Sequence, residues 1–236
     1  MKCVVKKHEL DRLLEVTYAV GKDETRPTLL GVCIRKNKFA AVDGKRISIR
    51  KSTSIEGIQE ILMPMSVIRA YKGLKLSGNT DIEIIDDGEY VGFLIEDLLI
   101  QDKYLTGNFI DYESLIPKKF DTRIAMKGEN LLKGLKTFNK TKMIDLIVTE
   151  ETLTIRALIN DEEHNLGINL LSCEGLRREE FTIRVNPKLL IEATKNYKYI
   201  TQFEFTSPLN PMVISDGSYS GNLDMLLPIR VVNKDE

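Results

Sequence analysis

The 236-residue sequence has no tryptophan, only two histidines and three cysteines, and aromatic residues make up just 7% of it. Each scarcity narrows the function. With no tryptophan and few other rings, a stacking platform for the bases of single-stranded nucleic acid is thin. His8 and His164 have no Cys or His neighbour at metal-ligand spacing, so each reads as an exposed polar residue and no metal site is expected. Cys3, Cys33 and Cys173 are odd in number and far apart. They read as buried strand thiols of a reducing cytoplasm, without disulfides. No apolar run approaches the roughly 18 residues of a membrane span. The opening residues Met1-Lys2-Cys3-Val4-Val5-Lys6-Lys7 lack the apolar stretch of a signal peptide. A cytoplasmic location with no membrane partner is the expectation.

Catalytic signatures are missing too. There is no phosphate-binding loop ending in Gly-Lys-Ser/Thr, no dinucleotide glycine fingerprint and no Gly-x-Ser-x-Gly elbow. The acidic pairs Asp86-Asp87, Glu96-Asp97 and Glu162-Glu163 have the chemistry to bind a divalent ion, but they read better as turn punctuation or solvated surface. A non-enzymatic protein with no cofactor is expected.

What is present is an ordinary globular composition, 42% hydrophobic and 29% charged, long enough for two domains. The apolar pattern is mostly of period two. Strands are predicted over Leu29 to Ile34, Lys38 to Val42, Arg46 to Arg50, Ile82 to Ile85, Tyr90 to Ile95, Ile144 to Val148, Leu153 to Ile159, Phe181 to Val185, Phe203 to Phe205 and Met225 to Val231. Asp43-Gly44, Asp86-Asp87-Gly88 and Asp216-Gly217 supply turns. Four helices interrupt them: Glu9 to Ala19, Ser66 to Leu74, Gly128 to Phe138 and Lys188 to Tyr197. The last opens with Asn186 as N-cap and Pro187 at the first helical position. The resulting β-α-β-β-β unit occurs about four times. The predicted fold class is α+β, two similar domains over residues 1–118 and 119–236, with helices on one sheet face and a connector near Pro117-Lys118-Lys119.

Charge is segregated along this pattern. Segment 6–20 is neutral, 65–76 carries +3, 126–142 carries +4 and 186–198 carries +2, against a net charge of −1 for the whole chain. The helices therefore hold +9 and the remainder −10. A shared basic helical face attracts a phosphate backbone without reading its sequence. The plainer alternative is that lysines solvate exposed helices, being good helix formers.

Several segments resemble a known family. Arg26-Pro27-Thr28-Leu29-Leu30-Gly31-Val32, followed by Phe39-Ala40-Ala41-Val42-Asp43-Gly44-Lys45-Arg46-Ile47, resembles the middle domain of the bacterial DNA sliding clamp, the beta subunit of DNA polymerase III. Gly107-Asn108-Phe109-Ile110-Asp111-Tyr112-Glu113-Ser114-Leu115-Ile116-Pro117 is similar to the segment that ends that domain. Ser207-Pro208-Leu209-Asn210-Pro211-Met212-Val213-Ile214 and Leu226-Leu227-Pro228-Ile229-Arg230-Val231 are similar to parts of the family's last domain. The resemblance spans the chain in the correct order and implies a DNA-clamp fold whose helices line a ring channel.

It also implies a role: a processivity factor that encircles double-stranded DNA without sequence preference and offers DNA polymerase and the clamp loader a groove for short hydrophobic motifs. The DNA-facing candidates by position are Lys72, Lys75, Lys133, Lys136, Lys140, Lys195 and Lys198. Arg26 joins them from a loop that touches DNA in the family, although Pro27 and Thr28 replace the aromatic residues there. Carried over position by position, the groove wall comprises Leu29, Val42, Gly44, Lys45, Arg46, Ile47, Leu115, Met225, Leu227, Pro228, Ile229 and Arg230, with the arginines as rim donors. Core packing is the competing reading for Val42 and Leu115. Lys45 stands for a family His, and Ile110 and Ser114 for a Pro and an Arg, so the peptide preference is expected to differ. Only the second and third of the family's three domains are matched, and Met1 directly precedes the opening strand. Six domains would then require three copies joined head to tail, a homotrimer. The alternative is a clamp-like protein-binding scaffold that does not encircle DNA, which the neutral first helix favours.

Overall fold

The computed structural model describes residues 2–56, 58–218 and 221–230. They form two compact units, one from the chain up to Tyr112 with Gly221 and Asn222, the other from Glu113 onward. The sequence places the divide later, after Lys118. Tyr112 is fully buried in the first unit, edge-on to Phe109 and capped by the Arg35 guanidinium 5.1 Å from its ring centre, so the first unit's packing ends there.

The first unit runs β1 (Lys2–Lys6), α1 (Lys7–Leu13), β2 (Gly31–Lys36), β3 (Lys38–Val42) and β4 (Arg46–Lys51). The order then repeats as β5 (Ile58–Pro64), α2 (Met65–Lys72), β6 (Asp81–Asp86), β7 (Tyr90–Ile95) and β8 (Leu98–Lys103). A short helix α3 (Tyr112–Leu115) leads into the second unit. There β9 (Thr122–Lys127), α4 (Gly128–Thr137), β10 (Ile144–Val148), β11 (Thr152–Ile159) and β12 (Glu162–Asn169) form the third copy, with a short extra strand β13 (Ser172–Glu174). The fourth is β14 (Phe181–Val185), α5 (Pro187–Thr194), β15 (Ile200–Phe205), β16 (Met212–Ser215) and β17 (Leu223–Leu226). The β-α-β-β-β repeat read from periodicity is the repeat observed.

Within each unit the two copies exchange their first strands. β1 pairs with β6 and β5 with β2, giving sheets β1-β6-β7-β8 and β5-β2-β3-β4. β9 pairs with β15 and β14 with β10, giving β12-β11-β10-β14 and β13-β9-β15-β16-β17. In the first unit the core lies between helices and both sheets: Leu10, Leu13, Val67, Ile68 and Tyr71 pack among Val32, Ile34, Ile82 and Ile84. In α2 the buried residues Val67, Ile68 and Tyr71 share one face, which leaves Arg69 and Lys72 outward.

The exchange also finishes the helix starts. Lys7 and His8 donate their backbone N–H groups to Thr80 and Gly78 carbonyls just before β6, at 2.9 and 3.0 Å. Gly128 and Glu129 donate to Tyr199 and Lys198 carbonyls just before β15, at 2.9 and 3.1 Å. Orphan donors of the first turn are thereby satisfied without side-chain caps. α5 is capped differently: the Asn186 side chain accepts from Lys188 and Leu189 N–H, as its sequence implies.

Several boundaries differ from those expected. The first helix does not run to Ala19. It tightens at Leu14 into a 3-10 segment, Leu14–Ala19, where the Thr17 hydroxyl donates back to the Leu14 carbonyl. The strand expected from Leu29 starts at Gly31, because Pro27 opens a 3-10 turn over Pro27–Leu29. The strand expected over Met225 to Val231 ends at Leu226. Pro228 has no N–H for a ladder, so residues 227–230 leave the sheet; Val231 and the rest of the C-terminus lie outside the described residues. Of the thiols, only Cys33 is buried; Cys3 and Cys173 are half-buried, and all three are free. Among the described residues, no helix is long and apolar enough to cross a membrane.

Candidate nucleic-acid interface and partner groove

Lys133 and Lys136 project from α4 at a three-residue spacing, and Lys140 follows four residues on, so they continue one side of the helix direction. The opposite face of α4 carries Leu131 and Leu135, both fully buried. The amphipathic pattern therefore forces the lysines outward. Lys195 and Lys198 follow α5, and the Lys198 carbonyl caps the start of α4, which ties the two basic stretches together within the second unit. All five of these lysines, Lys133, Lys136, Lys140, Lys195 and Lys198, are exposed.

In the first unit Lys72 and Lys75 are exposed at the end of α2. The Lys72 ammonium donates to the Thr17 hydroxyl at 2.9 Å and reaches the Leu14 carbonyl at 3.4 Å, so it is anchored on the 3-10 segment. The charges of α1 are spent internally. Lys7 pairs with Asp11, and Arg12 donates to the Lys51 carbonyl at 2.9 Å. The neutral first helix of the sequence is thus a helix whose cations are already engaged.

The Lys22–Arg26 loop is a turn held by Asp23, which accepts from the Thr25 hydroxyl and backbone N–H. Those bonds, with Arg26 nearby, keep its carboxyl below the usual range. Arg26 is exposed, its Nε 3.6 Å from Asp23. Its guanidinium also comes close to Gly44, one of the groove candidates. Lys22 and Arg69 line one cleft of this unit. Neither is among the DNA-facing candidates that the sequence suggests. The signal for Arg69 is its phase: it directly follows the buried pair Val67 and Ile68 and precedes buried Tyr71, so the helix turns it outward beside Lys72.

The groove candidates fall into two kinds. Leu29, Val42 and Ile47 are buried, so their first role is packing. Gly44 and Lys45 are exposed at the β3–β4 turn, where Asp43 accepts from Lys45 N–H at 2.9 Å and Gly44 adopts φ +84. Arg46 is not a rim donor with a free fork. It is 8% exposed, donates to Asp43 at 2.9 Å and to the Tyr18 carbonyl at 2.6 Å, and lies over the Tyr18 ring at 4.9 Å. Its guanidinium shapes a wall.

In the second unit Met225 is buried, Leu115 and Leu227 are exposed, and Pro228 and Ile229 are half-buried. Ile229 N–H donates to the Arg184 carbonyl at 2.8 Å, which holds this segment along β14, and Arg230 is exposed. The core alternative therefore describes Val42 and does not describe Leu115.

The acidic pair Asp86-Asp87 is accounted for locally. Asp86 and Asp87 accept backbone N–H groups of Gly88, Glu89 and Tyr90, the work of a hairpin turn. Among the described residues no cluster of His, Cys, Asp or Glu could hold a metal ion. Asp145 is fixed by Arg184 through two bonds of 2.6 and 2.8 Å and by Arg156 at 3.4 Å. Chiefly through Arg184, its carboxyl is held below the usual range.

Exchanged first strands, two helices per unit and four β-α-β-β-β copies decide the architecture. The chain has the DNA-clamp fold. Solved structures agree over nearly its whole length: the sliding clamp of Bacillus subtilis superposes with a TM-score of 0.89 at 21% identity over 98% of this chain and 65% of that one. The DNA polymerase III beta subunit of Thermotoga maritima gives 0.86 at 22% identity, covering 98% of this chain and 66% of that one. In sequence, the beta sliding clamp of Rickettsia bellii is 24% identical over 94% of this chain and 65% of that protein. That of Halalkalibacterium halodurans is also 24% identical, over 93% of this chain and 62% of that protein. The chain therefore spans less than two thirds of the length of these relatives. No family model matches it.

Proposed function

We propose that this chain is a DNA sliding clamp, a processivity factor that performs no chemistry and keeps a polymerase on duplex DNA by topology. The observation that carries the reading is the placement of cations. In a clamp-fold chain similar to beta sliding clamps, the outward lysines cluster on and after α2, α4 and α5 while the buried helix faces are apolar. Contacts from Lys72, Lys75, Lys133, Lys136, Lys140, Lys195, Lys198 and Arg26 to phosphates would be salt-sensitive and blind to sequence, which sliding requires. Lys22 and Arg69 extend this surface.

The partner-binding candidates are the β3–β4 turn of the first unit and the Leu227–Arg230 segment of the second, each suited to a short peptide with hydrophobic anchors from a polymerase or the clamp loader. No cofactor or metal takes part, and the protein acts in the cytoplasm. The units correspond to the middle and last domains of the three-domain clamps, so encirclement takes three copies, a particle of about 81 kDa for chains of 26.9 kDa.

The deciding experiment uses nicked circular DNA with a clamp loader and ATP. The protein should co-elute with the circle through gel filtration and be lost once the circle is cut at a single site. Equal retention on linear DNA, or none on the circle, would sink the reading.

A further inference from the structure

The sheet β12-β11-β10-β14 has two unlike faces. α4 packs on one of them, where a β-carbon on Gly134 would meet Leu166, Ile155 and Ile168 at 3.0 to 3.3 Å. Strand alternation turns the other residues outward: Met143 just before β10, Asp145 on β10, Arg156 and Leu158 on β11, and Arg184 on β14. This outer face is not wholly polar. Leu158 is 70% exposed on it and Met143 45%.

At its centre Asp145 lies directly across the ladder from both arginines, its side chain 11% exposed. Arg184 grips both carboxylate oxygens, through Nε at 2.6 Å and Nη2 at 2.8 Å, and so neutralises the charge. Arg156 reaches the same carboxylate with Nη2 alone, at 3.4 Å. Its Nε and Nη1 have no acceptor among the described residues, and its side chain is 37% exposed. One corner of this guanidinium is thereby fixed while most of its fork is open, and such a fork suits a carboxylate.

A cavity of about 650 Å³ lies over these groups, walled by Arg156, Leu158 and Met143, with Lys142 and Glu163 also lining it. Three cations, Lys142, Arg156 and Arg184, stand against Asp145 and Glu163, a balance of +1. That balance suits a single carboxylate. It does not suit a polyanion, because the adjacent strand β12 opens with Glu162 and Glu163 directly after Asp161.

We propose that this outer face is a docking site, separate from the groove candidates, for an extended acidic peptide with a carboxylate side chain two residues from a leucine-like one. The carboxylate takes the open fork of Arg156, and the apolar side chain covers Leu158 and Met143. In an extended peptide, residues two apart point the same way at a separation of about 6.6 Å. β11 displays Arg156 and Leu158 at that same spacing. The site does not depend on encirclement of DNA.

The test uses the full chain with isotope-labelled methionine methyl groups, followed by NMR, with the Met143 signal assigned through Met143→Leu. The probe is acetyl-Asp-Ala-Leu-amide at up to about 10 mM, a range that registers one ion pair with one apolar contact. The Met143 signal should shift saturably. Acetyl-Asn-Ala-Leu-amide should bind about tenfold more weakly, the loss expected for a charge-assisted pair. Arg156→Gln should weaken the Asp peptide by the same factor and leave the Asn peptide unchanged, and Arg156→Lys should fall between. Leu158→Ala should weaken both peptides. Leu227→Ala, in the groove candidates, should weaken neither. Arg184 still holds Asp145 in the Arg156 variants, and unchanged thermal unfolding would show that they fold. No saturable shift at Met143, equal binding of the two peptides, or an equal loss from Leu227→Ala would overturn the proposal. So would a Met143 signal that moves with protein concentration alone, or with a DNA oligonucleotide and not with the peptide, since either assigns the face to another occupant. Failure of retention on circular DNA with peptide binding intact would count against the clamp reading and leave this site standing.

Discussion

A β-carbon on Gly128 would lie 1.8 Å from the carbonyl oxygen of Tyr197. The contact is backbone on both sides, so no side-chain rotation can relieve it. It exists because α4 starts against the segment between α5 and β15, where Gly128 N–H bonds the Tyr199 carbonyl. Gly128→Ala should therefore destabilise the second unit by about 2–3 kcal/mol, as over-packing does. Urea unfolding followed by circular dichroism checks this. A change within about 0.5 kcal/mol, the range of an ordinary surface substitution, would refute the close approach.

Acid should loosen the first unit through Glu9. Burial alone would raise this carboxyl, but hydrogen bonds from Ser54 and Ser52 hydroxyls and from Thr53 and Ser54 backbone N–H outweigh it and bring it down to about 2 from the ordinary 4.5. A carboxylate lowered by folding contributes stability that is present above its unfolded value and lost as pH falls through its folded value. The window is thus from about pH 4.5 down to about pH 2. Glu9→Gln should lower the urea midpoint at neutral pH and flatten its fall across that window. An equal acid slope in wild type and variant would remove Glu9 as the cause.

These two sites mark the limits of what the chain discloses before it folds. The four amphipathic helices were legible because residues such as Leu131 and Leu135 recur at helical spacing among lysines. β12 was not, because its sequence EEHNLGIN is polar on both faces for most of its length, as suits an open edge. β5 was hidden because its buried run, Ile61 to Pro64, shows no alternation. The exchange of first strands has no local signal; it is a long-range pairing. Site residues divide the same way. Outward lysines follow from helix phase. That Arg46 is folded onto Tyr18 and Asp43 follows only from tertiary packing, since both it and Lys45 follow the same Asp-Gly turn.

The basic face should be testable by charge reversal. Lys136 and Lys140 are exposed and sit beyond the packed side of α4. Replacing both with Glu should leave stability within about 0.5 kcal/mol. Retention on circular DNA should fall, and the slope of log affinity against log salt should shrink by about 0.9 for each phosphate that is no longer neutralised. Unaltered retention with an unaltered slope would take these residues off the DNA-facing surface.

The groove candidates separate by burial, which lets packing and recognition be told apart. Val42 is 4% exposed and Leu227 is 41% exposed. Val42→Ala should cost about 2 kcal/mol of stability through lost burial. Leu227→Ala should cost little stability and weaken capture of a short peptide with hydrophobic anchors by about tenfold, near 1.4 kcal/mol. Fluorescence anisotropy with a labelled peptide measures the second, and thermal unfolding the first. Leu227 is the sharper probe, because it lies beyond the end of β17 and its segment is tied to β14 by a backbone hydrogen bond from Ile229. If Leu227→Ala binds the peptide as wild type does, the exposed leucine is surface and the groove does not include the Leu227–Arg230 segment.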